Sequence, residues 1–344
     1  VVWNFGYAVQ KMNKLRYADN FFDKATTEEY FSRMFPPFDS TQYILNTKRP
    51  NIILIALESY TFRFIEPLGG LPGVTPRINE LVSEGVLFDN FYSSGDRTDK
   101  GIVSILNGYP SQPQTSIIKD PKKTKGYHTE FSYGYNIDYS NFRSYLINAG
   151  FDHITHSMDF PQELNTSKWG VHDHYVFERA FEEAEACDEP FFKVMMTQSS
   201  HEPFDVPMET VIEGDDEVNR FLNSAYYTDK SLGDFIDKAR GTEWWNNTLV
   251  VITADHGHPY PDNQGLQNPR RFKIPMIWLG GALAVKDTVV STLGCQADIA
   301  NTILGQVDMR DESFTFSHDM FDASYQNPFA VFIYNNGYGF KTDS

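Results

Sequence analysis

Cysteine is nearly missing from this chain: Cys187 and Cys295 are the only two in 344 residues, and no Cys-x-x-Cys spacing joins them. So low a count excludes a disulfide framework and a zinc site built on thiolates, and leaves two isolated thiols. Positive charge is scarce as well. Acidic residues outnumber basic ones 46 to 29, a net charge of −17, so no field draws a phosphate backbone and nucleic acid is excluded as a general partner. No apolar run approaches the roughly 18–20 residues of a membrane span. With a mean hydropathy of −0.42 the chain as given is expected to be soluble. A secretory leader is lacking too, and the first residue is Val1 rather than Met, so the expectation is a piece processed or excised from a longer protein. What is abundant is aromatic: 28 Phe, 19 Tyr and 5 Trp, with 41% hydrophobic residues overall, enough for a large core and incompatible with chain-wide disorder.

Residues 1–47 are aromatic and mixed in charge. Thr26 stands three positions before Glu29, a capping-box pattern for a short helix that Pro36 and Pro37 stop, so this stretch reads as a helical arm. From residue 48 apolar runs alternate with amphipathic stretches, the pattern of strands joined by helical crossovers in a parallel sheet. Strands are expected over 51–57, 86–92, 190–197, 248–253 and 274–279. Helices are expected over 76–85, along the stripe Val176, Phe177, Ala180, Phe181 and Ala184, and over 297–304. Residues 120–125 and 213–217 read as charged surface loops. The fold class is therefore α/β: a three-layer α/β/α sandwich with a mostly parallel sheet over 48–305, preceded by the arm and closed by a small C-terminal subdomain over 306–344.

Open parallel sheets place their active sites beyond the carboxyl ends of the strands, so the polar residues that follow each apolar run carry the functional information. The first run leads into Glu58. The second leads through Ser93, Ser94 and Gly95 to Thr98 at a helix start, the third ends in Ser199, Ser200 and His201, and the fourth in Asp255, His256, Gly257 and His258. Singly, plain roles are open to them: Glu58 as a solvated strand end, Thr98 as a helix cap. A carboxylate and an imidazole directly after a buried strand are costly unless paired or coordinated, which makes Asp255 and His256 metal-site candidates.

In combination, two carboxylates, one imidazole and one hydroxyl form a hard, oxygen-rich set for one divalent metal ion. Such a set suits Mn²⁺ or Mg²⁺ better than a thiol-selecting metal, and Zn²⁺ remains compatible. A threonine oxygen bound to a divalent cation loses its proton readily and becomes a nucleophile. Its place at a helix start adds free N–H groups and the positive end of the dipole for the oxygens of a phosphate or sulfate ester.

These residues and their surroundings resemble the alkaline phosphatase and sulfatase superfamily, and within it the lipoteichoic acid synthase-like phosphoglycerol transferases. The likeness is carried by Leu57-Glu58-Ser59, Ser94-Gly95-Asp96-Arg97-Thr98-Asp99-Lys100-Gly101, residues 133–142, Trp169-Gly170-Val171-His172-Asp173, Ser199-Ser200-His201-Glu202-Pro203-Phe204 and Ala254-Asp255-His256-Gly257, in order between residues 48 and 305. The resemblance implies that Glu58, Thr98, Asp255 and His256 hold the metal, that Thr98 is also the nucleophile, and that His201 contacts the substrate phosphate or its leaving group. The family's headgroup pocket corresponds to residues 133–143, which makes Asn136, Asp138, Asn141 and Arg143 substrate-binding candidates. Arg97 beside the nucleophile joins them, as does His258, whose alternative role is to shape its loop. Where lipoteichoic acid synthases carry a Trp-Asn-Arg triplet for glycerol phosphate, this chain has Ser140-Asn141-Phe142.

The reaction so implied is transfer of a phosphoglycerol or related headgroup from a phospholipid or other small phosphodiester donor to a hydroxyl acceptor, through a covalent phosphothreonine on Thr98. The resemblance also implies N-terminal membrane helices in the intact protein, with this piece as the ectodomain outside the cytoplasmic membrane of a bacterial cell envelope. Two alternatives stay open: a phosphodiesterase or sulfatase that uses water as acceptor, and a non-catalytic binding module of the same fold. Formylglycine sulfatases take their nucleophile from a Cys/Ser-x-Pro-x-Arg context. Neither cysteine has it, and Ser111-Gln112-Pro113-Gln114-Thr115 ends in Thr where Arg is required, which favours Thr98 and phosphorus. His172-Asp173-His174 reads as a helix start capped by Asp173, and His128, His153, His156 and His318 read as surface or core histidines.

Overall fold

The computed structural model describes residues 21–110, 126–138, 142–311, 313–335 and 337–343. Contacts divide the chain into two units, Val1–Pro37 and Phe38–Ser344. In the first, helix α1 spans Lys24–Met34 and is capped by Asp23, not Thr26: the Asp23 carboxylate accepts the Thr26 backbone N–H at 2.9 Å and its hydroxyl at 3.0 Å. A carboxylate folded back onto the first turn satisfies a donor the helix leaves open, so Thr26 lies inside the helix rather than before it. The first part of the expected arm, residues 1–20, and the expected loop 120–125 lie outside the described residues. Residues 38–47 belong to the second unit, with Thr41 bridging Asp322 and Leu45 bridging Leu283.

Along the second unit run β1 (Asn51–Leu57), α2 (Pro76–Val82), β2 (Val86–Phe88), β3 (Phe91–Tyr92), α3 (Thr98–Asn107), β4 (His128–Tyr133), α4 (Phe142–Ala149), β5 (His153–Thr155), α5 (Asp173–Glu185), β6 (Phe191–Met196), α6 (Glu217–Arg240), β7 (Thr248–Ala254), β8 (Met276–Leu279), β9 (Thr288–Val290), β10 (Gly294–Cys295), α7 (Ile299–Gln306), β11 (Phe329–Tyr334) and β12 (Gly337–Thr342). Eight strands form one sheet in the order β5-β4-β6-β1-β7-β8-β2-β9, parallel except for β8, which runs against both neighbours. All seven residues of β1 are buried, as an unbroken aliphatic run requires when a strand is covered on both faces. Alternation along the strands sorts the side chains. Ile52, Leu54 and Phe192 line one face with residues of α3 and α7, whereas Lys193 and Glu130 meet Glu183 of α5 on the other, which makes the three layers.

The expected strand 86–92 is in fact two. β2 stays in the main sheet, and β3 leaves it to pair with β10, the break falling at Asp89 and Asn90. Helix α6 begins within the expected acidic loop, because Asp216 accepts the N–H groups of Val218 and Asn219 and so starts the helix there. The C-terminal strands β11 and β12 form a hairpin whose Ile333 N–H donates to Ser94 O at 3.0 Å, so residues expected to form a subdomain are stitched to the loop before Thr98.

Three strands position the site. β1 lies between β6 and β7, with Ala56 opposite Met196 and Leu57 opposite Ala254, so the loops after them start side by side. Helix α3 comes down onto the end of β7 so closely that a Cβ at Gly101 would sit 1.7 Å from Asp255 O. Gly101→Ala is therefore expected to lower the free energy of unfolding by about 1–3 kcal/mol, the usual overpacking cost, as measured by urea denaturation.

Candidate active site

Glu58 and Asp255 follow β1 and β7 directly, and both are buried to within 1% of full burial. Ligand atoms of Glu58, Asp255 and His256 all lie within 4.8 Å of one another. His256 Nε2 is 3.8 Å from Glu58 Oε1 and 3.6 Å from Asp255 Oδ2. The His256 Nδ1 is 2.9 Å from Gly257 O, so it carries the proton and Nε2 keeps its lone pair towards the carboxylates. Asp255 Oδ1 accepts the N–H groups of Ser59 at 2.8 Å and His256 at 2.7 Å, while its Oδ2 is buried and accepts no hydrogen bond. Burial, and then the charge of Asp255, push the Glu58 carboxyl well above the usual carboxylate range. Two carboxylates facing one lone pair, with one buried oxygen left without a donor, fit a divalent cation and fit poorly without one.

Thr98 is the first residue of α3, and its Oγ1 is 3.5 Å from Glu58 Oε2. Arg97 at the cap position makes no side-chain capping bond, so the positive helix end opens into the site. The loop ahead of Thr98 is held by a residue that sequence reading missed. Gln296, fully buried, accepts the Ser94 N–H at 2.8 Å and donates to Ala254 O at 2.8 Å and Asp255 O at 2.6 Å. One amide thus ties the loop before Thr98 to the strand end that carries Asp255.

His201 arrives on the loop after β6. Asp173 fixes that loop: it is the first residue of α5, and instead of capping its own helix its carboxylate accepts the N–H groups of Gln198 at 2.8 Å and Ser199 at 3.2 Å and the Thr228 hydroxyl at 2.7 Å. The His201 ring is exposed and meets Trp169, whose indole N–H donates to Glu202 O. His258 packs on Phe221 at 4.1 Å between ring centres. Burial, followed by Arg271, His256 and His201, pushes it down to about 3, so it stays neutral at any ordinary pH.

Glu58, Arg97, Thr98, His201, His256 and His258 all line one cleft of 690 Å³, above Asp255. The aromatic wall of that cleft takes Tyr133, Tyr135 and Phe142 from the stretch that the resemblance relates to the headgroup pocket, and adds Trp169, which the sequence reading gave no individual role. Asn136, Asp138 and Arg143 are not among the lining residues. Arg143 is bound to Asp138 and reaches His156 Nε2 at 3.0 Å, and Asn136 Oδ1 accepts the Asp138 N–H at 3.0 Å, so these groups satisfy one another beside the cleft. Asn141 lies outside the described residues, as does the Ser111 to Thr115 segment.

A family model described as Sulfatase matches residues 50–309. The chain is 23% identical over 350 residues to lipoteichoic acid synthase 1 of Bacillus subtilis (strain 168), covering 90% of this chain and 54% of that protein. It is 22% identical over 313 residues to phosphoglycerol transferase I of Xanthomonas campestris pv. campestris (strain B100), covering 80% and 43%. The chain spans about half the length of the curated relatives it matches. Among solved structures, a protein in the alkaline phosphatase superfamily from Vibrio parahaemolyticus superposes with a TM-score of 0.78 at 26% identity, over 94% of this chain and 81% of the other.

Removing the Gln296 amide leaves the Ser94 N–H and two strand-end carbonyls buried without partners. Gln296→Leu is expected to cost about 2 kcal/mol or more in denaturant unfolding, with Gln296→Glu intermediate.

Proposed function

The chain belongs to the sulfatase family, and within it we propose a metal-dependent phosphoryl-group transferase whose nucleophile is Thr98. The observation that carries this reading is the hydroxyl of a helix-starting threonine beside two buried carboxylates and a histidine, one carboxylate oxygen of which has no donor. Glu58, Thr98, Asp255 and His256 are the residues that would hold the cation, and the oxygen-rich donor set favours Mn²⁺, with Mg²⁺ or Zn²⁺ as substitutes. When bound, a divalent cation lowers the pKa of a ligating hydroxyl and offsets charge on a phosphoryl oxygen.

Thr98 Oγ forms the new bond to phosphorus, and the bond to the departing alcohol breaks. His201 is the group that gives that alcohol its proton; it is exposed on a loop that Asp173 holds, so it reaches substrate without leaving its anchor. The start of α3 stabilises the added negative charge. A hydroxyl acceptor then attacks the phosphothreonine diester and frees Thr98, so turnover is ping-pong. Phosphorus is favoured over sulfur because the nucleophile position holds threonine rather than a cysteine or serine in a formylglycine context.

The names of the relatives, lipoteichoic acid synthase and phosphoglycerol transferase, support a glycerol phosphate or related headgroup; in this reading the donor is a phospholipid or small phosphodiester, used at the outer face of a bacterial membrane. No described helix is long and apolar enough to cross a membrane. Membrane attachment in this reading belongs to a segment preceding the present chain.

Thr98→Ala is expected to reduce turnover of a phosphodiester by at least about a thousandfold and to abolish the mass increment on the Thr98 peptide of donor-treated protein. Undiminished turnover in that variant sinks the proposal. Stripping with EDTA is expected to stop turnover, with Mn²⁺ restoring it. Parallel assays on aryl phosphate and aryl sulfate esters are expected to favour phosphorus.

A further inference from the structure

His128 and Cys187, which sequence alone left as a surface histidine and an isolated thiol, meet in the fold. His128 opens β4 and Cys187 lies between α5 and β6, so both stand at the amino ends of their strands, at the opposite edge of the sheet from the catalytic cleft. Ligand atoms of His128, Glu130 and Cys187 all lie within 4.8 Å of one another, and His128 Nε2 is 3.2 Å from Glu130 Oε1. The other oxygen, Glu130 Oε2, is held by the ammonium of Lys193, which is fully buried and also reaches Glu183 Oε2 at 3.3 Å. Lys193 therefore fixes the carboxylate with Oε1 turned towards the imidazole. On the far side of that ring, His128 Nδ1 lies 4.0 Å from Asp152 Oδ2, which accepts the Thr129 N–H and hydroxyl instead. The His128 side chain is 42% exposed, which leaves a path for an ion and room for a water ligand.

We propose that His128, Glu130 and Cys187 form a second divalent-metal site, suited to a thiophilic, borderline ion of the Zn²⁺ class and chemically separate from the oxygen-rich Glu58 site. One nitrogen, one carboxylate oxygen and one sulfur, completed by water, make the four-coordinate set such an ion takes. The low cysteine count does not stand against it, because a mixed site needs one thiolate. Charge balances: the ion and Lys193 carry three positive charges against one each on Cys187, Glu130 and Glu183. A thiol ligates as its thiolate, so the ion displaces a proton from Cys187 on binding. The site joins the start of β4 to the turn before β6 and braces that edge of the sheet.

Cd²⁺ titrated into the EDTA-stripped chain tests this through the thiolate-to-metal absorption band. The expected result is a band that saturates at one equivalent in the wild type and in Glu58→Gln, disappears in Cys187→Ser, and needs at least tenfold more Cd²⁺ in His128→Gln. Zn²⁺ is expected to displace the band and to raise the Tm of the wild type but not of Cys187→Ser. No band in the wild type, a band that survives Cys187→Ser, or one indifferent to His128→Gln overturns the proposal.

Discussion

Two carboxylates buried side by side at the ends of neighbouring strands, Glu58 and Asp255, set the terms for everything around them. Like charges so close and so dry do not both ionise without help, and the fold supplies that help in layers. Backbone N–H groups from Ser59 and His256 converge on one oxygen of Asp255, Ser59 Oγ donates to Glu58 at 2.8 Å, and a helix begins at Thr98 with its positive end in the cleft. What remains is one deficit, the buried Asp255 Oδ2 that no donor reaches. That deficit separates a reactive centre from a pair of mutually satisfied acids: the same residues with one more internal donor would be a structural network.

The acidic character of the chain takes on a local meaning. A net charge of −17 repels anions over distance, yet an ester held at one cation and one helix end feels a positive point. Where the chain buries a positive side chain, as with Lys193, it surrounds it with Glu130 and Glu183. Glu58, Asp255 and His256 gather at the carboxyl edge of the sheet, and His128, Glu130 and the one thiol, Cys187, at its amino edge. The two candidate cation sites are thereby kept apart by the length of the strands.

The candidate site was legible where chemistry and topology coincide. Glu58, Thr98, His201, Asp255 and His256 could be picked out because each follows a buried run or opens a helix, and a parallel sheet brings such ends together. Gln296 was not legible, since a glutamine at the edge of an apolar helix looks like surface until three backbone groups are seen to converge on it. β4 escaped notice for a related reason: Glu130 breaks its apolar pattern, and only the lysine from β6 makes that glutamate a core residue. The headgroup candidates Asn136, Asp138 and Arg143 rest on the family resemblance, which gives the position of a segment. Position does not reveal that an arginine is already engaged by its neighbours.

The hairpin strand β11 rests against the loop that leads to Thr98, through Ile333 and Ser94. The seat of Thr98 is therefore assembled from pieces more than two hundred residues apart in the sequence. A growing chain that has delivered Glu58 and Thr98 still lacks Asp255, Gln296 and the strand that steadies Ser94. A chain cut before β11 would leave the loop that leads to Thr98 without its Ile333 partner, so the order of that loop depends on residues distant in sequence.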